Sequence, residues 1–79
     1  MVATLPPKKQ KRTAFGTRLR ELRESAGLTQ KELGERVGMA YQNVARLERG
    51  DSNPSWERVV ELAAALGTTP DAFLHKSGN

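Results

Sequence analysis

Residues 30–49 read QKELGERVGMAYQNVARLER, and this stretch decides the fold. Leu33 and Val37 are four apart and share one helical face. Gly38 follows at once, where a helix commonly ends in a residue of positive φ, a conformation that glycine adopts at little cost. Met39 places an apolar side chain inside the turn. Val44 and Leu47, three apart, give a second helix its buried face. Gly34 faces the incoming segment where a side chain would hold the two axes apart. Together these constraints predict two short helices, 30–37 and 41–49, crossing steeply about a tight turn. An ordinary helical hairpin shares each feature singly, but the joint pattern is much rarer.

Working outward, the flanking sequence predicts three further helices. Phe15, Leu19, Leu22 and Ala26 form one apolar stripe on a helix from Thr13, its N-cap, to Ala26. Arg18, Arg20, Glu21 and Glu24 fall on its solvated side. Leu28 plugs the junction. Thr29 with Glu32 forms a capping box for the 30–37 helix. The segment DSNP at 51–54 is a turn. Ser55 then caps a helix over 56–66, with Val59, Leu62, Ala63 and Leu66 inward and Trp56 and Val60 to one side. Thr69 and Pro70 open a short fifth helix through Phe73 and Leu74. Gly27, Gly38, Gly50 and Gly67 punctuate the chain after each of the first four helices. The expected fold is all-α with five helices.

The 79 residues accommodate one domain with a small core. There is no cysteine, hence no disulfide framework and no thiolate metal site. No apolar run approaches the roughly 18 residues a membrane span needs, and the apolar stretch 1–5 is too short for a secretory leader. The single histidine, His75, and the lack of an Asp/Glu/His cluster at ligand spacing argue against catalysis: no catalytic residue, metal or cofactor is expected.

Thirteen bases and nine acids give a net charge of +4, all of it on residues 1–12. There Lys8, Lys9, Lys11 and Arg12 stand without an acid, in a segment with a Pro-Pro pair and no periodicity. It reads as a flexible basic arm able to track phosphates, followed by the folded region 13–75 and a frayed end at 76–79. Residues 13–49 hold seven bases and five acids, residues 50–79 two and four, so the end with the paired short helices is the positive one. The outer face of the 41–49 helix carries Tyr41, Gln42, Ala45, Arg46 and Arg49. This set suits base reading in a DNA major groove: Gln to adenine, Arg to guanine, Ala against a thymine methyl. Gln30, in the first turn of the 30–37 helix, sits among backbone N–H groups with no intrahelical partner, which can donate to a phosphate; Lys31 is a further candidate phosphate contact.

At this point the sequence resembles the lambda-repressor-like Cro/C1 helix-turn-helix family, also called XRE. The resemblance runs from Phe15 to Leu74. It rests on Leu28-Thr29-Gln30, Leu33, Val37-Gly38, Leu47-Glu48-Arg49-Gly50, Asn53-Pro54-Ser55 and Ala65-Leu66-Gly67. It implies a five-helix domain whose third helix reads operator DNA, with a two-fold dimer as the usual form. Tyr41, Gln42, Ala45 and Arg46 match base-facing positions, and Gln30, Asn43 and Arg49 match positions at the sugar-phosphate backbone. Arg23 and Glu48 match a structural ion pair. Two departures stand out: Ala40 where the family usually has a serine cap, and Asp51 where a basic or polar phosphate contact is common.

The resemblance thus implies a cytoplasmic regulator of bacterial or phage type, acting at the nucleoid or in a phage-infected host. It would bind a palindromic operator as a homodimer, with repression as the expected outcome. Trp56, Val60, Phe73 and Leu74 are the expected dimer contacts. Double-stranded DNA is the main partner, polymerase a further one; no small molecule and no membrane are implied. Two alternatives stay open: the antitoxin of a toxin–antitoxin pair, and a protein-interaction or coactivator module of the same fold that reads no bases.

Overall fold

The computed structural model describes residues 14–74. Thr13 as a cap, the basic arm and His75 lie outside the described residues. Four α-helices follow in order: α1 Ala14–Ser25, α2 Gln30–Val37, α3 Tyr41–Arg49 and α4 Trp56–Ala65. No strand occurs among the described residues. The expected fifth helix is instead a single 3₁₀ turn, Pro70–Phe73. Its bonds run from Ala72 N–H to the Thr69 carbonyl at 3.0 Å and from Leu74 N–H to the Asp71 carbonyl at 2.9 Å. Four residues opened by a proline are too short for a run of α-type bonds, so the tighter turn forms.

The cap chemistry sets the ends of α2 and α3. Thr29 Oγ1 accepts from the Glu32 N–H at 3.0 Å, and the Glu32 carboxylate accepts from the Thr29 N–H at 2.9 Å. Gly38 ends α2 at φ 73° and Gly50 ends α3 at φ 82°, left-handed conformations that a Cβ would strain. Ala40, at the N-cap of α3, makes no side-chain cap bond. Ser55 caps α4 by accepting from the Arg58 N–H at 3.1 Å.

Leu19, Leu33, Val44, Leu47, Leu62, Ala63 and Phe73 form the core, drawing on all four helices and the 3₁₀ turn. Phe15, Leu22, Leu28, Val37, Met39, Val59 and Leu66 pack against it, half-buried. Ala26, placed on the apolar stripe of α1, is exposed. It falls just past the end of α1, where the chain turns away. Arg18 is not a solvated residue: its side chain is mostly covered, and Nε donates to the Ala72 carbonyl at 2.7 Å, tying the C-terminal turn to α1.

Two glycines admit close approach. At Gly34 a Cβ would run into the Met39 carbonyl, so the contact is with the turn entering α3 rather than with the body of that helix. At Gly16, which the apolar pattern passed over, a Cβ would lie 2.7 Å from the Glu48 carbonyl oxygen. Here α1 crosses α3 backbone to backbone, which seats the C-terminal half of α3.

Candidate nucleic-acid interface

The helix α3 buries Val44, Leu47 and Glu48 and exposes Tyr41, Gln42, Asn43, Arg46 and Arg49, with Ala45 half-covered. Burial of a carboxylate beside an outward polar face needs compensation, and Glu48 is fully supplied with donors. Arg23 Nε donates to Glu48 Oε2 at 2.6 Å and Nη2 to Oε1 at 3.2 Å, a two-pronged pair. Gln30 Nε2 donates to the same Oε1 at 3.1 Å. The remaining arm of Arg23, Nη1, donates to the Leu28 carbonyl at 2.8 Å. Both charged side chains are largely out of water, 11% exposed for Arg23 and 5% for Glu48. The hydrogen bond that Arg23 donates to the Glu48 carboxylate, more than the charge of that carboxylate, raises the Arg23 pKa above the ordinary guanidinium value, against the opposite pull of burial.

One network therefore locks α1, the α1–α2 loop, α2 and α3 together. It fixes the azimuth of α3, and so decides which of its residues face outward. Gln30 is held by Glu48. Its amide keeps a second N–H for another acceptor.

Two shallow clefts flank α3. One is lined by Arg20, Arg23, Gln30, Ala45, Glu48 and Arg49. The other lies on the opposite side, with Asn43 and Arg46 facing the 52–55 segment and Arg58. The expected base-facing and backbone-facing residues of α3 thus share one exposed ridge with a groove on either side. Lys31 lies on α2 and pairs with Glu35 at 3.9 Å, both well exposed. Two features were not legible in the sequence. Arg20, solvated as expected, also borders the first cleft, and Arg49 pairs with Asp51, Nε to Oδ2 at 2.9 Å.

Of the expected dimer contacts, Trp56 at 66% exposed, Leu74 at 76% and Val60 are outward-facing. Phe73 is not: it is 4% exposed, with its ring 4.7 Å from that of Phe15. That apolar pairing makes it a core residue. Trp56 and Leu74 border a mainly apolar groove with Ala14, Phe15, Val59 and Pro70. No group of three or more His, Cys, Asp or Glu is placed to hold a metal among the described residues. No helix among them is long and apolar enough to cross a membrane.

Two short helices packed together about a glycine turn, the second presenting a polar ridge, define a helix-turn-helix domain. The sequence profile of the family described as "Helix-turn-helix domain" matches residues 14–75. An uncharacterized HTH-type transcriptional regulator of Methanothermobacter thermautotrophicus is 47% identical over 51 residues, 65% of this chain and 74% of that protein. The restriction-modification controller protein C.AhdI of Aeromonas hydrophila superposes with a TM-score of 0.73 at 40% identity, over 76% of this chain and 91% of that one. The DNA-binding domain of the P22 C2 repressor superposes with a TM-score of 0.76 at 29% identity, covering 82% and 86%. The chain belongs to the Cro/C1-like helix-turn-helix family.

Proposed function

We propose that this protein is a sequence-specific DNA-binding transcriptional regulator that lays α3 into the major groove. The observation that carries this reading is the Arg23–Glu48–Gln30 network. It spends a buried ion pair on holding α3 in one rotation, so that Gln42, Ala45 and Arg46 stand on the outward ridge. Direct readout needs such fixed geometry, because a bidentate side chain–base pair tolerates little rotation. In this reading Tyr41, Gln42, Ala45 and Arg46 face the bases, while Gln30, Lys31, Asn43 and Arg49 meet the backbone. The arm residues Lys8, Lys9, Lys11 and Arg12 add phosphate contacts. Membership of the family and the regulators among its relatives support it.

The regulator acts as a homodimer on a palindromic operator, with repression by occupancy as its simplest mode. Support for the dimer comes from Trp56, Val60 and Leu74, apolar side chains left in water on one side of the domain.

The test is selection of bound fragments from a random duplex pool, followed by affinity measurements on the selected site. An inverted repeat is expected. Arg46→Ala should cost about 1–3 kcal/mol on that site and relax the preference at one position. Lys31→Ala should weaken selected and random DNA alike. Equal losses for Arg46→Ala on both DNAs would remove it as a base reader.

A further inference from the structure

The cleft beside α3 has a floor and a rim of different character. On the floor, Glu48 is satisfied by Arg23 and Gln30. On the rim, Arg20 and Arg49 come from α1 and the end of α3 and line the same cleft. Each rim arginine is held by a carboxylate. Arg20 Nε donates to Glu24 Oε2 at 3.1 Å and Arg49 Nε to Asp51 Oδ2 at 2.9 Å. All four side chains are about half exposed, so these pairs are weak and exchangeable. Neither bond takes up the Nη groups of its arginine.

We infer that this cleft seats one phosphate of the DNA backbone between Arg20 and Arg49, and that Glu24 and Asp51 are displaceable counter-anions which that phosphate must replace. This deepens the DNA-binding reading and rests on it. A guanidinium offers a planar fork that fits a carboxylate and a phosphate equally. The exchange therefore conserves hydrogen bonds while setting free two carboxylates beside a polyanion. Asp51 bears most of this effect, because it follows Gly50 directly and stays next to α3, whereas Glu24 lies on the exposed side of α1. The consequence is uniform: the latch lowers affinity for every duplex, leaves base preference untouched, and leaves discrimination to Gln42 and Arg46. It keeps a regulator with a basic rim from being held on random DNA.

The experiment measures the affinity of the full chain for its selected duplex and for random duplex across a salt series. Asp51→Asn is expected to tighten both several-fold at low salt and to steepen the salt dependence, because one more cation then exchanges with phosphate counter-ions. Glu24→Gln should act in the same direction more weakly. Arg20→Gln should weaken both DNAs alike, as should Arg49→Gln. Glu21→Gln makes the same charge change on α1, outside this cleft and beside Arg18, which stays anchored to the Ala72 carbonyl, and should alter affinity by less than twofold. The decisive arm is Asp51→Asn in an Arg49→Gln background. If Asp51 works as a latch, the gain there is clearly smaller than in the wild-type background, because only the repulsion of an already free carboxylate is left to remove; an undiminished gain would show plain repulsion of DNA alone and overturn the inference. A wild-type chain that binds DNA while Asp51→Asn changes nothing overturns the latch alone. A wild-type chain that binds no duplex overturns it together with the DNA-binding reading.

Discussion

Glu48 is an acid on the helix proposed to enter DNA, and its burial is the reason it is tolerated there. Its charge is neutralised on the inside by Arg23 rather than displayed to phosphates. Removing it with Glu48→Ala leaves a mostly buried guanidinium with the Leu28 carbonyl and a loose, 3.9 Å approach to the exposed Glu24 carboxylate, and should cost about 3 kcal/mol. Thermal and urea melts check this; an unchanged midpoint would remove the pair from the account of stability. The pH dependence follows from the direction of the Arg23 shift. Its folded pKa is raised, so its contribution is complete below the ordinary guanidinium value and is lost only as pH rises through the still higher folded one. The arginine therefore adds no slope to stability in the working range. Arg23→Lys brings that window down. A lysine held by Glu48 has its full effect below its unfolded pKa of about 10.4 and loses it as pH rises through its folded one, so the variant should lose stability above about pH 10.4 relative to its own value at pH 8. Equal alkaline slopes for wild type and variant would contradict this.

At the scale of the elements, α3 is less well capped than α2 and α4, since Ala40 sits extended at its N-cap with no side-chain bond. Ala40→Ser supplies an acceptor for the first-turn N–H groups and should stabilise the free protein by about 1 kcal/mol, raising Tm by roughly 4–8 °C. Gly16→Ala runs the other way. Its new methyl meets the Leu47 and Glu48 carbonyls, α1 must lift from α3, and the cost should be about 2–3 kcal/mol by the same melts. These two positions also show what the sequence could and could not reveal. The bounds of α2 and α3 were legible because Thr29, Glu32, Gly38 and Gly50 act locally, each through its own backbone. Leu33, Val44, Leu47 and Leu62 were legible as core because burial follows helical period. Gly16 was missed because a mid-helix glycine carries no apolar signal, and its purpose exists only once α3 lies across it. The coverage of Arg18 was missed for the same reason, its acceptor being the carbonyl of Ala72, 54 residues on. A proline start does not tell a fifth helix from the 3₁₀ turn at Pro70–Phe73, which uses it equally well. Arg23 with Glu48 was legible only through family resemblance, since nothing local relates two charges 25 residues apart.

For the whole molecule, the size of α3 limits what one copy can do. Nine residues span about 13.5 Å, so on the proposed DNA-binding reading one domain covers only a short half-site. Sequence selectivity against a genome then calls for a second copy. The apolar surface at Trp56, Val60 and Leu74 is the surface best able to hold that copy, because the other sides carry the ion-paired faces of α1 and α2 or the reading ridge. Trp56 is exposed within the single chain, so Trp56→Glu should leave the melt of the monomer nearly unchanged while abolishing self-association in sedimentation. Because a two-fold dimer fixes the separation of its two α3 helices, its half-sites should lie about one helical turn, roughly 34 Å, apart. Inserting five base pairs between the half-sites turns the second one to the opposite face of the duplex. Affinity should then fall to the level of a single half-site, and inserting a full turn should not restore it, since the dimer cannot stretch by that length. Trp56→Glu should bind the original and the five-base-pair duplex equally, at the level of one half-site. Wild-type affinity that ignores the insertion would mean that each domain binds alone, and the apolar surface would then have to be assigned to another partner.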